Sequence, residues 1–351
     1  MTHEHNNFLQ RNLDLPAEGN LIISGISQSG KTSFVFYSLN KLKEDFFYID
    51  LDEIGVATNN WLELIKNQIN INKTLVLDIY YFKFIINYIN ELLLISKRII
   101  IISWLPLKYD NFLNISVYPL NFEEFLLFKG SGLNLETAFV KYSHIGGFPI
   151  LIKYPDPHLT KHLKRLLKFS LSEFDIDLLK DIADNIGTPR SILNMFESLK
   201  NRRAISKDKL YRRIDELIEN GYIFHVKQFK KSSLAKYYLI DPALQNIFAS
   251  KRDFSRLFEA MIISELAKRH EHEIIYYRNI EIYIERTQTA ILPFPFAESS
   301  VFEKIITRTL TNIKKLKANN LQIITMDFED SLEIHNIKFE AIKFTRWALT
   351  L

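Results

Sequence analysis

The sequence predicts an α/β fold, and three observations support that prediction. Between residues 20 and 120, short apolar runs alternate with helical stretches, as in a parallel sheet with helices on both faces. Residues Gly25–Thr32 match the phosphate-loop pattern GxxxxGK(S/T). Of the 351 residues, 47% are hydrophobic, so the chain is long and apolar enough to build two or three domains.

The apolar periodicity predicts the elements in chain order. We expect strands near residues 21–24, 46–51, 74–78, 99–103 and 116–119, and helices near residues 31–43, 60–70, 82–96 and 121–128. Residues 159–220 have a helical pattern, and two strands joined by the polar turn Lys230–Ser233 come next. Three helices followed by a hairpin is the order of a winged helix. Beyond Asp253 the pattern predicts a helix, several strands, a helix near 299–316, and strands at 321–325 and 337–343.

The phosphate-loop match lies in the context that such a loop requires. The apolar run Leu21–Ile23 precedes it as a buried strand, and a helix from Ser33 to Leu42 follows it. Glycines let the backbone turn tightly around phosphate oxygens, and the positive end of the helix adds favourable charge. The alternative is a chance glycine-rich turn. Nucleotide-binding residues expected from this pattern are Gly25, Ile26, Ser27, Gln28, Ser29, Gly30, Lys31, Thr32 and Ser33.

Three residues define the chemistry expected at this loop. Lys31 would reach the β and γ phosphates of ATP, and the Thr32 hydroxyl would hold Mg²⁺. Asp78 ends the apolar strand 74–78, and an aspartate at that place orients Mg²⁺ or its water in phosphate-loop enzymes. An ordinary aspartate at a strand end is the alternative. The sequence therefore predicts ATP and Mg²⁺ as cofactors.

The residue that would activate water is missing from the pattern. Many ATPases of this build place Glu directly after the aspartate, but this chain has Ile79 there. Tyr80 is a poor replacement because the unperturbed pKa of tyrosine is near 10. Ser103 ends the next strand and would sense the γ-phosphate, or else be a solvated serine; Asp50 and Asp52 are weaker candidates. The catalytic residue is therefore unknown from sequence.

Composition limits the remaining classes of function. The chain has no cysteine, which excludes disulfides and thiolate sites, and its net charge of +4 allows nucleic-acid contact without arguing for it. The polar start and the lack of a long apolar window predict a cytoplasmic protein without a membrane partner. His3 and His5 lie in a polar segment, and the spacing of His270 and His272 does not place them on one helical face, so we expect no zinc site.

Several short sequence segments, together with the phosphate loop, form a pattern that resembles a known protein family. They are Tyr48–Asp52, Tyr118–Leu126, Gly146–Pro149, Tyr237–Pro242 and Leu257–Glu259. In this order and spacing, the chain resembles a large prokaryotic family of AAA-type ATP-binding proteins. That resemblance implies an AAA-like phosphate-loop NTPase core, then a winged helix, then a degenerate PD-(D/E)xK-like α/β domain of the restriction-nuclease type. The implied boundaries are residues 1–155, 156–250 and 251–351.

The chain differs from the family at two positions where the family has side chains expected to act on the transferred phosphoryl group. The family reads Asp-Glu where this chain has Asp78-Ile79, and it carries an Arg where this chain reads Leu113–Val117. Lys31, Thr32 and Asp78 are retained. We therefore expect MgATP to bind and to be hydrolysed slowly or not at all.

The predicted winged helix is rich in cations. Eleven Lys and Arg residues stand against five Asp and Glu between Phe196 and Lys236. A helix that reads DNA uses cations to contact phosphates. Packing alone, or contact with a protein, is the alternative. Candidate contacts to duplex DNA are Arg202, Arg203, Lys207, Arg212, Arg213, Lys230 and Lys231.

The resemblance also implies where nuclease residues would lie. Glu259 fits the helix position, but Tyr283 replaces the usual strand aspartate, and residues 290–296 lack the Glu-x-Lys motif. Glu281 and Glu285 alternate with Tyr283 and would share its face of the strand. Because two of three ligating elements are missing, we expect no nuclease activity.

Three hypotheses of function follow from the sequence. The first is a nucleotide-dependent switch that changes an interaction with another protein or with a second copy of itself. The second is an ATPase that acts on DNA, with the missing carboxylate supplied from elsewhere. The third is an interaction scaffold whose phosphate loop is a relict.

Overall fold

The chain forms two compact units. The structure, a computed structural model, describes residues 10–51, 61–69, 71–79, 87–105, 107–129, 132, 134–153, 159–200, 205–271 and 273–351. Unit 1 comprises Met1–Pro119 and Glu219–Gly221, and unit 2 comprises Leu120–Ile218 and Tyr222–Leu351. The expected domain boundaries at residues 155 and 250 remain predictions. No helix in the described part of the chain combines the length and apolarity needed to cross a membrane.

Unit 1 is an α/β unit with a parallel five-stranded sheet, which confirms the predicted parallel sheet. Its strands lie in the order β2-β3-β4-β1-β5, and each neighbouring pair is parallel. The elements are β1 (Asn20–Ser24), α1 (Lys31–Lys41), β2 (Phe46–Asp50), α2 (Trp61–Gln68), β3 (Thr74–Ile79), α3 (Ile89–Leu93), β4 (Arg98–Ser103) and β5 (Phe112–Ser116).

Alternation along the strands of unit 1 builds a core on each face of the sheet. On β1, Leu21 and Ile23 pack with Phe34 of α1, whereas Ile22 packs with residues of α2 and α3. Successive side chains of a strand point to opposite faces, so both faces are covered by helices. This arrangement explains the nearly continuous apolar runs in the sequence.

Unit 1 differs from expectation at its last strand and is described only in part at its third helix. The last strand was expected near residues 116–119 and instead spans Phe112–Ser116. It lies at the edge of the sheet, and Leu113 is 56% exposed, so the strand lacks the apolar run by which buried strands are recognised. The helix expected near 82–96 is described only as Ile89–Leu93, because residues 80–86 lie outside the described part.

Unit 2 contains one eight-stranded mixed sheet and eleven helices in its described residues. The strand order is β12-β13-β11-β10-β9-β8-β6-β7. Its helices are α4 (Phe122–Lys129), α5 (Leu135–Ile145), α6 (Pro149–Lys153), α7 (Leu159–Ser170), α8 (Glu173–Asp184), α9 (Ile192–Leu199), α10 (Lys207–Glu219), α11 (Pro242–Phe248), α12 (Phe254–Lys268), α13 (Ser299–Leu316) and α14 (Phe344–Thr350). Its strands are β6 (Ile223–Gln228), β7 (Lys231–Leu239), β8 (Ile274–Tyr277), β9 (Ile280–Ile284), β10 (Thr289–Pro293), β11 (Asn320–Thr325), β12 (Asp330–Ile334) and β13 (Ile337–Lys343).

The β6–β7 hairpin belongs to the same sheet as the strands that follow residue 250. Its two strands are antiparallel, and β6 runs parallel to β8 through Lys227 and Gln228. Helices α8, α9 and α10 precede the hairpin, in the order expected for a winged helix. The assignment of a winged helix and of a separate nuclease-like domain remains a prediction.

Three of the segments that carry the resemblance, Tyr118–Leu126, Gly146–Pro149 and Tyr237–Pro242, contribute to a buried network of unit 2. Asp241 accepts hydrogen bonds from the amide of Gly147 at 2.9 Å and from Lys268 Nζ at 2.7 Å. Lys268 also donates to the carbonyl of Leu120 and to the hydroxyl of Tyr142. Burial raises the pKa of Tyr142 well above its usual value. Through this network, these segments hold helices of unit 2 and the loops between them together.

Candidate functional site

The phosphate loop lies between β1 and α1 and has a conformation that its glycines permit. Gly25 has φ +143°, and a Cβ there would lie 2.2 Å from the carbonyl oxygen of Val117. Gly30 precedes helix α1 with φ 92° and provides no side-chain cap. Only glycine combines such a backbone with so close an approach. The loop therefore closes against the strand beside it.

Lys31 is turned into this loop. Its Nζ donates hydrogen bonds to the carbonyl oxygens of Gly25 at 2.9 Å and Ile26 at 3.0 Å. Burial lowers the pKa of Lys31 to about 8, partly offset by the charge of Asp78. The Lys31 ammonium is therefore held in the loop by two neutral carbonyl oxygens.

The two expected magnesium ligands are brought together. Thr32 Oγ1 donates to Asp78 Oδ2 at 2.8 Å, although the residues are 46 positions apart in sequence. Tyr48 donates to the same oxygen at 3.3 Å. Burial raises the pKa of Asp78, with opposing contributions from Thr32 and Lys31. A hydroxyl and a carboxylate are ligands that Mg²⁺ accepts.

The loop contains a buried polar atom that has no partner in the described part of the chain. The Ser29 hydroxyl oxygen is buried and has no hydrogen-bond partner among the described residues. Buried polar atoms without a partner are uncommon and point to an absent ligand or water. With Lys31 alongside and a helix N-terminus behind, these residues fit a phosphate group and its magnesium ion.

Two of the remaining sequence candidates, Ser103 and Asp50, lie on strands of the same sheet. Ser103 is buried, and its hydroxyl accepts from the Leu105 amide at 3.2 Å, so the solvated-serine alternative is wrong. The register puts Ser103 beside Ile79, whose side chain is buried in the core. Asp50 lies beside Asp78 on β2. Asp52 and Tyr80 lie outside the described residues.

Arg11 is a residue that sequence reasoning missed. Its guanidinium donates to the carbonyl of Ser29 at 3.2 Å and to that of Tyr118 at 2.8 Å. It therefore braces the phosphate loop from a segment that precedes β1. A single arginine in a polar stretch carries no local signal, so only the folded chain reveals this contact.

Of the candidate DNA contacts, the structure leaves some exposed and engages others. The candidates Lys207 and Arg212 on α10 are exposed, as is the neighbouring Lys209, which was not a candidate. Arg213 instead pairs with buried Asp175 and with Glu216, so it holds α10 against α8. The hairpin residues Lys230 and Lys231 are exposed, and Arg202 and Arg203 lie outside the described residues.

Helix α7 carries a second set of cations that the sequence analysis did not single out. Lys161, Lys164, Arg165 and Lys168 recur at intervals of three and four, whereas the helix has no acidic residue. Such spacing places side chains on one face of a helix. None of the four has an ion pair within the described part of the chain. Their spacing was visible in the sequence.

The expected nuclease positions are arranged differently from the sequence prediction. Glu259 on α12 pairs with Lys236 at 3.1 Å, and Lys236 also pairs with Glu281. Tyr283 instead donates to the Leu316 carbonyl of α13, and the alternation from which Glu281 was expected to share its face of the strand does not hold. The register between β8 and β9 shifts between Ile275 and Tyr277, which breaks the alternation.

The carboxylates of Glu259 and Glu281 already have a cationic partner. An ammonium stands between the two carboxylates. No group of three or more His, Cys, Asp or Glu in the described residues is placed to hold a metal. The pKa of Lys236 is raised because Glu259 and Glu281 outweigh its burial.

The chain has weak similarity to known proteins in sequence and in structure. No protein-family model matches the chain. It is 25% identical to "Uncharacterized protein MJ1544" of Methanocaldococcus jannaschii, over 94% of this chain and 88% of that protein. It is 24% identical to an "Uncharacterized protein" of Haemophilus influenzae, over 45% of this chain and 46% of that protein. The Orc1 protein of Aeropyrum pernix, solved in complex with DNA, has a TM-score of 0.28 at 9% identity, over 73% of this chain and 89% of that one. A similarity this low supports no inference about function.

Proposed function

We propose that this chain binds MgATP at Gly25–Thr32 and acts as a nucleotide-dependent switch with slow or no hydrolysis. The observation that carries the proposal is the preassembled site: Thr32 bonded to Asp78, beside a loop in which the Ser29 hydroxyl has no partner among the described residues. Loop amides and Lys31 would hold the phosphates, and Thr32 and Asp78 would hold Mg²⁺. When bound, Mg²⁺ neutralises charge on the phosphate oxygens.

Slow turnover follows from what stands next to Asp78. Ile79 is buried and apolar, so it has no group that can take a proton from water. Loss of a general base typically costs about 10²–10⁴-fold in rate. A purified-protein turnover assay checks this, and a vigorous rate that disappears in Lys31→Ala would refute it.

A switch requires that the ligand favour one state over another. Lys31 now donates to two loop carbonyls, and a triphosphate would offer it charged acceptors instead. A hydrogen bond between an ammonium and an anionic oxygen adds attraction between opposite charges that a neutral carbonyl does not provide. The exchange of partners at Lys31 supports a difference between the nucleotide-bound and nucleotide-free protein, which another protein or a second copy could recognise.

Thermal-shift titration with MgATP tests the binding step. Wild type is expected to gain about 2.7 kcal/mol of apparent stability at a ligand concentration of 100 Kd. Lys31→Ala should lose that gain. Lys41→Ala, an exposed lysine of the same helix, is the matched control and should keep it. If wild type shows no shift, the loop is a relict and the scaffold hypothesis replaces this one.

A DNA-associated ATPase is the second candidate. The exposed cations of α10 and the cationic stripe on α7 favour it, because phosphate contacts supply most non-specific affinity for DNA. Turnover measured with and without duplex DNA separates the two candidates: stimulation by DNA favours the ATPase, and no effect favours the switch.

A further inference from the structure

A buried lysine of unit 2 lies between two carboxylates. Lys236 on β7 is 4% exposed, and its ammonium nitrogen lies 3.1 Å from an oxygen of Glu259 on α12. The same nitrogen pairs with Glu281 on β9. With Tyr238 and Tyr276, these residues form what we term the Lys236 cluster.

Two tyrosines contact the charged groups of the cluster, one through its hydroxyl and one through its ring. Tyr238 donates its hydroxyl hydrogen to Glu259. The ring centroid of Tyr276 lies 5.3 Å from the Lys236 nitrogen, and its buried hydroxyl has no hydrogen-bond partner among the described residues. Buried polar atoms without a partner are uncommon, and this one belongs to the ring that contacts the Lys236 ammonium.

The backbone encloses the cluster from another side. A Cβ at Gly187 would lie 3.0 Å and 3.2 Å from the two carboxylate oxygens of Glu259, so this segment packs directly on that carboxylate. Glu259 is held between Gly187, Tyr238 and Lys236. Its orientation is therefore set by the fold, as the ligands of an ion site must be.

Divalent cations are bound by several oxygen ligands at once. The Lys236 ammonium contacts both carboxylates directly. It therefore occupies the position that a metal ion would need in order to bind both of them. We propose that Glu259 and Glu281 form a cation site whose occupant is the chain's own Lys236 ammonium, so that the site takes up no metal ion unless the lysine is removed. This internal cation joins β7, α12 and β9, which are distant in sequence. The proposal does not rest on nucleotide binding.

Manganese titration of the full chain, followed by electron paramagnetic resonance of free Mn²⁺, tests the proposal. Lys236→Met keeps the length of the side chain and removes its charge. This variant is expected to bind one more Mn²⁺ per chain than wild type, and its melting temperature should rise with Mn²⁺ more than that of wild type. Any Mn²⁺ bound at Thr32 and Asp78 is counted in both proteins, so it does not contribute to the difference between their counts.

Two controls locate the additional ion. Adding Glu259→Gln to Lys236→Met should return the count to that of wild type. Lys231→Met, an exposed lysine on the same strand, should leave the count unchanged.

Folded Lys236→Met that binds no additional Mn²⁺ would overturn the proposal. A wild-type count that falls by one ion in Glu281→Gln would overturn it too, since the site would then already hold a metal. Where Lys236→Met does not fold, this second measurement decides, because Glu281 is the most exposed of the three charged groups, at 34%. An unchanged count in Glu281→Gln supports the proposal.

Discussion

At the scale of single residues, the conformation of the phosphate loop depends on a missing side-chain atom as much as on the atoms that are present. Gly25 lacks the Cβ that would strike the Val117 carbonyl, and this absence lets the loop reach its position. Asp78 keeps a fixed orientation because Thr32 and Tyr48 both donate to it. A site built this way tolerates little change in side-chain volume.

Gly25→Ala is expected to lower the free energy of unfolding by about 2–4 kcal/mol, because it adds a backbone clash to an unfavourable φ. MgATP should then no longer raise the melting temperature. Gly19→Ala is the matched control, since Gly19 has φ +83° and nothing within 4 Å of the added Cβ. It should cost about 1–2 kcal/mol from backbone strain alone. Equal losses in urea-induced unfolding would contradict the steric argument.

At the scale of elements, buried ion pairs join helices and strands of unit 2 that are far apart in sequence. Lys268 of α12 and Asp241 before α11 have side chains that are 1% and 0% exposed. Glu265, one turn earlier on α12, accepts from the amide of Phe122 and from Tyr142. Charges buried this deeply are costly unless every partner is present.

Lys268→Met is expected to lower the free energy of unfolding by about 3–5 kcal/mol, because it leaves Asp241 buried with its charge unpaired. Adding Asp241→Asn should recover part of the loss, so the double variant is less destabilised than the sum of the single variants. Lys304→Met, an exposed lysine of α13, should change the value by less than about 0.5 kcal/mol. Chemical denaturation followed by circular dichroism measures the free energy of unfolding of these variants and of Asp241→Asn alone.

At the scale of the whole molecule, charge is divided unevenly between the two units. Unit 1 has ten Lys and Arg residues against thirteen Asp and Glu, whereas unit 2 has thirty-five against twenty-eight. The net charges are therefore −3 and +7, within a total of +4. The net positive charge that would attract a phosphate polymer therefore lies in unit 2, which contains the exposed cations of α7 and α10.

If unit 2 binds duplex DNA, affinity should fall linearly with salt on logarithmic axes. Replacing Lys207, Lys209 and Arg212 with Gln should reduce that slope by about 0.9 for each DNA phosphate that the variant no longer neutralises. The matched control replaces Lys41, Lys43 and Lys108, which are exposed lysines of unit 1, and should keep the wild-type slope. Fluorescence anisotropy at several salt concentrations measures both. Binding without salt dependence would exclude this surface.

Much of unit 1 could be predicted from sequence because its signals are local. The phosphate-loop pattern lies within eight consecutive residues, and the strands that surround it are buried on both faces and so read as apolar runs. Thr32 and Asp78 were named as magnesium ligands from the chemistry of their types, from the place of Thr32 in the phosphate-loop pattern and from the place of Asp78 at the end of a strand. The edge strand β5 was misplaced because half of it faces solvent.

The sequence by itself determined the type of site, a phosphate loop followed by an aspartate and lacking the glutamate, since residue types and short spacings carry that information. Only the tertiary structure showed that Arg11 reaches Ser29, that Arg213 is already paired, and that Lys236 stands between Glu259 and Glu281. Such contacts join residues tens of positions apart, so no periodicity along the chain records them. They exist because folding brings the elements together, and burial then makes each charge depend on its neighbour.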